Sequence, residues 1–119
     1  MTLKSILAAV ALLALGAGPA FAHAKLESSV PRAGSTVASA PSALRLAFNE
    51  PLEAPFSKIS LAGASGAVAL PKAQVDKGDP KVLAVPLPAL APGQYKVQWS
   101  TVTRDGHKVR GEFDFKVGK

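Results

Sequence analysis

The chain of 119 residues has no cysteine and one methionine, which is the first residue. Without cysteine it can form neither disulfide bonds nor thiolate metal sites. Without further methionines it cannot build the thioether cluster that favours Cu(I). Long apolar runs are scarce too, because the longest, residues 6–15, is shorter than the roughly 20 residues that cross a bilayer. We therefore expect no membrane span and no sulfur-based metal site.

Residues 1–22 have the pattern of a secretory signal peptide. Lys4 supplies the positive charge, an apolar segment follows, and Ala-Phe-Ala at 20–22 is a small-x-small cleavage sequence. Cleavage after Ala22 makes His23 the new N-terminus. The remaining residues are enough for one domain with a single core.

The charged residues argue against one class of partner. The formal net charge is +6, but lysines and arginines are spread singly, with no basic run and no basic stripe interleaved with aromatics. The pattern of a nucleic-acid-binding protein is therefore absent. We interpret the positive balance as a contribution to solubility.

Short apolar runs with two-residue alternation, separated by Pro and Gly, predict strands and not helices. The clearest alternating sets are Leu44/Leu46/Phe48, Ile59/Leu61, Tyr95/Val97/Trp99 and Phe113/Phe115/Val117. About seven such strands in one domain predict an all-β Greek-key sandwich or barrel of immunoglobulin-like or cupredoxin-like type. The run from Leu83 to Leu87 contains Pro86, so we place it at a sheet edge or strand end and not centrally.

The two histidines of the expected mature chain, His23 and His107, are candidate metal ligands. At His23 a free α-amino group and an imidazole can chelate one metal ion, and the amine pKa of about 8 leaves a neutral fraction at neutral pH. Asp105 and His107 are two apart and point to one side if that segment is extended. The resulting set of three nitrogens and one oxygen suits Cu(II), although Zn(II) and Ni(II) accept similar ligands.

Both features also have plain structural explanations. Asp105-Gly106 is an ordinary hairpin-turn dipeptide between the last two predicted strands. His23 alone would be an incidental residue at a frayed terminus. Metal binding requires the N-terminal strand to bring His23 near the loop at 100–107.

Several segments together resemble the CopC family of periplasmic copper-binding proteins, across nearly all of the expected mature chain. They are HAKL at 23–26, SVPRAG at 29–34, LAFNEPL at 46–52, GQYKVQW at 93–99, DGH at 105–107 and GEF at 111–113. The resemblance implies a Greek-key β-domain over residues 23–119 and one Cu(II) per chain, held by His23, Asp105 and His107. Glu50 falls where some members have a glutamate near the metal, so it is a weak ligand or a partner of the ligands.

The resemblance further implies a monomeric periplasmic carrier or buffer that serves copper resistance or homeostasis, with a CopD-type inner-membrane protein as a partner. Members that also bind Cu(I) use a Met-rich site, which this sequence lacks. Two other functions remain open. An immunoglobulin-like module would bind no metal, and a small copper oxygenase would share the N-terminal histidine but need an open ligand position that Asp105 fills.

Overall fold

We analysed a computed structural model, which describes residues 24–118. These residues form nine strands and one short 3₁₀ turn, η1. The strands are β1 (Leu26–Val30), β2 (Thr36–Val37), β3 (Ala43–Phe48), β4 (Lys58–Gly63), β5 (Gly66–Val68), β6 (Gln74–Val75), β7 (Val82–Pro86), β8 (Gly93–Val102) and β9 (Lys108–Val117), and η1 is Ala54–Phe56. Within this part of the chain, no helix is long and apolar enough to cross a membrane.

The strands form two sheets, one of four strands in the order β1-β3-β7-β6 and one of five in the order β2-β9-β8-β4-β5. All pairings are antiparallel except that of β2 with β9. The predicted all-β sandwich is confirmed. The strand number exceeds the predicted seven because β2 and β6 are two residues long and too short to leave an alternating pattern in the sequence.

The core lies between the inward faces of the two sheets. Alternate residues of β8 are buried, and the same alternation continues in the second half of β9. Phe48 of the four-stranded sheet meets Trp99 of the five-stranded sheet edge to face, with ring centroids 4.9 Å apart. Such a pair adds about 0.5–1.5 kcal/mol to the burial of apolar area. The predicted inward faces of β3 and β8 therefore meet in one core.

Of the two placements expected for the Leu83 segment, the sheet edge is wrong, whereas the strand end is correct for Pro86. Strand β7 lies between β3 and β6, and Leu83 is fully buried. Pro86 is tolerated because it is the last residue of β7, beyond the two positions that pair with β6. Its missing N–H therefore interrupts no ladder, and the next N–H, that of Leu87, donates to the carbonyl of Ser42 at 2.8 Å.

Gly111 of β9 provides a test of the packing around Trp99. A Cβ at this position would lie 2.6 Å from Cζ2 of the Trp99 ring, and the ring is fixed by its core neighbours. We expect Gly111→Ala to lower the free energy of unfolding by about 1–3 kcal/mol, as overpacked core substitutions do. Chemical denaturation followed by Trp99 fluorescence measures the change.

Gly118→Ala is the matched control, because its Cβ would make only ordinary contacts, the nearest at 3.6 Å from the Val37 carbonyl oxygen. It should leave the stability unchanged within about 0.5 kcal/mol. Equal stabilities for the two variants would contradict the packing described here.

Candidate metal centre

Asp105 and His107 lie in the turn that joins β8 to β9. The turn is closed by two backbone hydrogen bonds, Thr103 N–H to the His107 carbonyl at 3.0 Å and Gly106 N–H to the Thr103 carbonyl at 2.9 Å. Gly106 has a φ of +91°, which a side chain would strain. The segment is therefore a tight turn, as its Asp-Gly dipeptide indicates, and the alternative of an extended segment is excluded.

The turn nevertheless brings the two side chains together. Oδ2 of Asp105 lies 3.2 Å from Nδ1 of His107, and each side chain is about half exposed, 53% and 51% respectively. A carboxylate and an imidazole on an open turn form a nitrogen–oxygen pair that a divalent cation can reach from solvent. The sequence offered a hairpin turn and a candidate ligand pair as alternative explanations of this segment. In the structure, residues 103–107 form the turn and also bring the candidate pair together.

Thr103 holds this pair in place. Its side chain is almost fully buried. The Thr103 hydroxyl donates to Oδ1 of Asp105, and the hydroxyl oxygen of Thr103 accepts the His107 N–H at 3.2 Å. The hydroxyl bond, with a smaller contribution from the charge of His107, lowers the pKa of Asp105 below its ordinary value of 3.8 despite partial desolvation. Asp105 is therefore ionised at neutral pH.

Sequence reasoning missed Thr103. The available signal was a hydroxyl residue two positions before the aspartate of an Asp-Gly turn, where such side chains commonly bond the turn.

Residues 49–53 form a loop against the turn. Leu52 forms an isolated bridge with Thr103, and the Arg104 N–H donates to the Pro51 carbonyl at 3.3 Å. Glu50 belongs to this loop, and its Oε2 is buried without a hydrogen-bond partner among residues 24–118. Leaving a buried carboxylate oxygen unpaired costs free energy. A hydrogen-bond donor or a cation next to Oε2 of Glu50 would remove this cost.

The same loop anchors the start of the N-terminal strand. The Lys25 N–H donates to Oδ1 of Asn49 at 2.7 Å, and the Asn49 N–H donates to the Lys25 carbonyl at 3.2 Å. Ala24 is buried, with 4% of its surface exposed. The expected strand from Lys25 onward is thus present, and it begins beside the loop that contacts the Asp105 turn. His23 itself lies outside the described residues.

Of the four predicted metal-site residues, the structure brings Asp105 and His107 into contact. It does not bring Glu50 into a group with them, since within residues 24–118 no three His, Cys, Asp or Glu side chains cluster as a metal would require. The pair supplies one nitrogen and one oxygen, so a stable centre needs further ligands. The further donors that the sequence predicts, those of His23, lie outside the described residues.

Comparison with known proteins gives a consistent result. The family model for the CopC domain matches residues 26–118. Copper resistance protein C of Escherichia coli is 40% identical over 109 residues, covering 82% of this chain and 83% of that protein. Copper transport protein CutJ of Bacillus subtilis is 35% identical over 101 residues, which are 83% of this chain but only 19% of that protein.

A solved structure has the same fold. The crystal structure of CopC from Methylosinus trichosporium OB3b superposes with a TM-score of 0.75 at 31% identity, covering 81% of this chain and 94% of that one. Because the family model spans the whole described sandwich, including the turn with Asp105 and His107, this chain belongs to the CopC family.

Proposed function

We propose that this chain is a periplasmic copper-binding protein of copper resistance or homeostasis, which holds one Cu(II) ion through His23, Asp105 and His107. The contact between Asp105 and His107 carries the proposal. It lies on a turn held by the loop at 49–53, and that loop also fixes the residues after His23. The names of the relatives, copper resistance protein C and CutJ, support copper as the metal.

The proposed centre combines a chelating terminus with the turn. Removal of residues 1–22 would free the His23 amine beside its own imidazole, and these two donors would join the pair on the turn. Three nitrogens and one carboxylate oxygen suit the tetragonal preference of Cu(II), which also binds most strongly among the common divalent ions. Binding displaces the amine proton, so the copper affinity should rise with pH through the amine pKa of about 8.

The oxidation state follows from the ligands that are missing. Cu(I) prefers thiolate and thioether sulfur, and residues 23–119 contain neither cysteine nor methionine. We therefore propose a single Cu(II) site without a second site for the reduced ion. Separately, we propose a monomer as the functional unit.

Glu50 completes the proposal as a partner of the ligands. Its unpaired buried oxygen belongs to the loop that holds Lys25 through Asn49. We propose that this oxygen accepts a hydrogen bond from a ligand or approaches the metal weakly. Such partners orient ligands, and their loss usually costs 10–100-fold in metal affinity.

A carrier or buffer suits this site better than an enzyme. Asp105 would fill a ligand position on the metal that an oxygenase needs to keep open. In CutJ, a segment like this chain makes up about a fifth of a longer copper transport protein. We further propose that this chain delivers copper to a CopD-type membrane partner, which the family resemblance implies.

The free amine is the most direct test of the ligand set. Two forms are compared: the chain that begins at His23, verified by mass, and the same chain with one glycine before His23. We expect the extra residue to weaken Cu(II) binding more than about 100-fold, because an amide replaces a ligand. Competition with a chelator, followed by Trp99 fluorescence, measures the affinity.

The control carries the same glycine after Lys119 and should bind copper unchanged. Equal affinities for the two N-terminal forms would exclude the amine as a ligand. Absence of any copper binding in the chain beginning at His23 would instead favour a module that binds no metal.

Glu50→Gln separates a metal-supporting role from a structural one. The free energy of unfolding of the copper-free variant should equal that of the parent or exceed it by up to about 1 kcal/mol, because the negative charge on a half-buried side chain with one unpaired buried oxygen has been removed. Its Cu(II) affinity should fall about 10–100-fold. Thermal denaturation and chelator competition give the two values.

Glu27→Gln on the exposed part of β1 is the control and should change neither value. A destabilised Glu50→Gln protein with normal copper affinity would assign Glu50 a purely structural role.

Thr103→Val tests how the turn prepares Asp105. Loss of the hydroxyl bond should raise the pKa of Asp105 toward its ordinary value of 3.8 and weaken Cu(II) binding about tenfold. The lowered pKa of Asp105 in the folded protein stabilises the fold at pH values above 3.8, the pKa of an unfolded aspartate. This stabilisation is lost as the pH falls through the lower pKa of the folded state. The variant should therefore lose less stability than the parent over that acid range.

Carboxyl NMR titration measures the pKa of Asp105 directly. Thr103→Ser keeps the hydroxyl and should behave like the parent protein. An unchanged Asp105 pKa in Thr103→Val would contradict this role.

A further inference from the structure

The outer face of the five-stranded sheet gathers positive charges that are scattered in the sequence. The ladder places Lys58 of β4 opposite Ser100 of β8, and Ser100 opposite Arg110 of β9. Two residues nearer the turn, on the same face of the sheet, Lys108 lies opposite Val102. All three cations are exposed. We call this surface the basic face: Pro55, Phe56, Lys58, Ser100, Val102, Lys108 and Arg110.

The other half of the same sheet differs, because Lys96 is paired there with carboxylates. Nζ of Lys96 lies 3.0 Å from Oε2 of Glu112 and 3.5 Å from Oδ1 of Asp114, and Gln98 also donates to Glu112. These contacts raise the pKa of Lys96 and lower that of Glu112. By contrast, no carboxylate in residues 24–118 lies within ion-pair distance of Lys58, Lys108 or Arg110.

The basic face is also concave and partly apolar. A hollow of about 610 Å³ is lined by the side chains of η1 and by the ends of β8 and β9 nearest the turn. Phe56 is 61% exposed there. An exposed aromatic ring is typical of the centre of a protein interface, and charged residues are typical of its rim.

We propose that the basic face docks an acidic segment of a partner protein that carries apolar side chains among its carboxylates. Carboxylates would pair with Lys58, Lys108 and Arg110, while an apolar side chain would cover Phe56. A membrane surface fits less well, because recognition of anionic lipid usually takes four to eight clustered cations and this face has three. The concave shape also favours a protruding segment over a flat bilayer.

The basic face lies next to the candidate metal centre, which suggests a function for the docking. Lys108 directly follows His107, so a docked partner would lie beside the candidate metal centre. That the contact serves copper transfer rests on the proposed function, whereas the contact itself does not. It can therefore be tested on copper-free protein.

The test uses ¹⁵N-labelled, copper-free protein and two synthetic 12-residue peptides, one of Glu, Asp and Leu and one with Lys in place of the acids. We expect the acidic peptide to shift the amides around Lys58, Ser100 and Arg110 selectively, and the basic peptide to shift none. Raising the salt from about 20 to 200 mM should weaken binding about tenfold.

Three variants identify the determinants. Lys58→Glu with Arg110→Glu should lower the peptide affinity more than about tenfold, and the neutral pair Lys58→Gln with Arg110→Gln should lower it by an intermediate factor. Phe56→Ala keeps the charge and should lower the affinity about threefold. Lys77→Glu with Lys116→Glu makes the same change in net charge on other exposed positions and should stay within about twofold of the parent.

Equal losses in the two charge-reversed proteins, or shifts spread over all lysines, would overturn the proposal in favour of attraction by net charge alone. Binding to phosphatidylglycerol vesicles through Lys58 and Arg110, without selective peptide binding, would overturn it in favour of a membrane surface. Copper titration of each variant is the separate control. Absence of copper binding in the parent protein, with normal peptide docking, would contradict the proposed function and leave the docking surface intact.

Discussion

The pairing of β8 with β9 is the constraint on which the rest of the structure depends. Ten consecutive residue pairs join the two strands, from Gly93 with Val117 to Val102 with Lys108. A slip by one residue would turn every inward side chain outward. Because the core fixes this register, it also fixes the turn at its end, where Asp105 and His107 meet. The core thus determines the geometry of a polar, exposed site.

A second constraint is the loop at 49–53, which contacts two parts of the chain distant in sequence. Through Asn49 it holds Lys25 at the start of β1, and through Pro51 and Leu52 it holds the Asp105 turn. At this end of the sandwich, the loop therefore contacts both the N-terminal strand and the β8–β9 turn. A centre that uses a cleaved terminus needs such an anchor, since a free terminus would be disordered before the metal binds.

Local patterns made the fold predictable. The alternation around Phe48, Trp99 and Phe115 identified the inward faces of the main strands, and the family resemblance agreed with the confirmed β-sandwich. The position of β7 was mispredicted because Pro86 was judged by its type alone, and only the short pairing with β6 reveals that its N–H was not needed. The two-residue strands could not be predicted because they depend on contacts between distant segments.

The candidate site was predictable in its residues but not in its geometry. Asp105 and His107 were identified from their spacing and chemistry, yet they meet through a turn and not along an extended strand. The role of Thr103 depends on a buried hydroxyl, and the grouping of Lys58 with Lys108 and Arg110 depends on sheet register. Neither feature can be read from local sequence. The metal-binding roles of His23, Glu50, Asp105 and His107 all stay predictions, and His23 lies outside the described residues.

The central claim is that one Cu(II) joins the N-terminus to the turn. Residues 23–119 contain two histidines, His23 and His107, so ring-¹⁵N-labelled histidine labels only the two proposed imidazole ligands. Pulsed EPR of the chain beginning at His23, with one equivalent of Cu(II), should detect two labelled imidazole nitrogens and one unlabelled amine nitrogen. A spectrum with one labelled nitrogen, or none, would contradict the account.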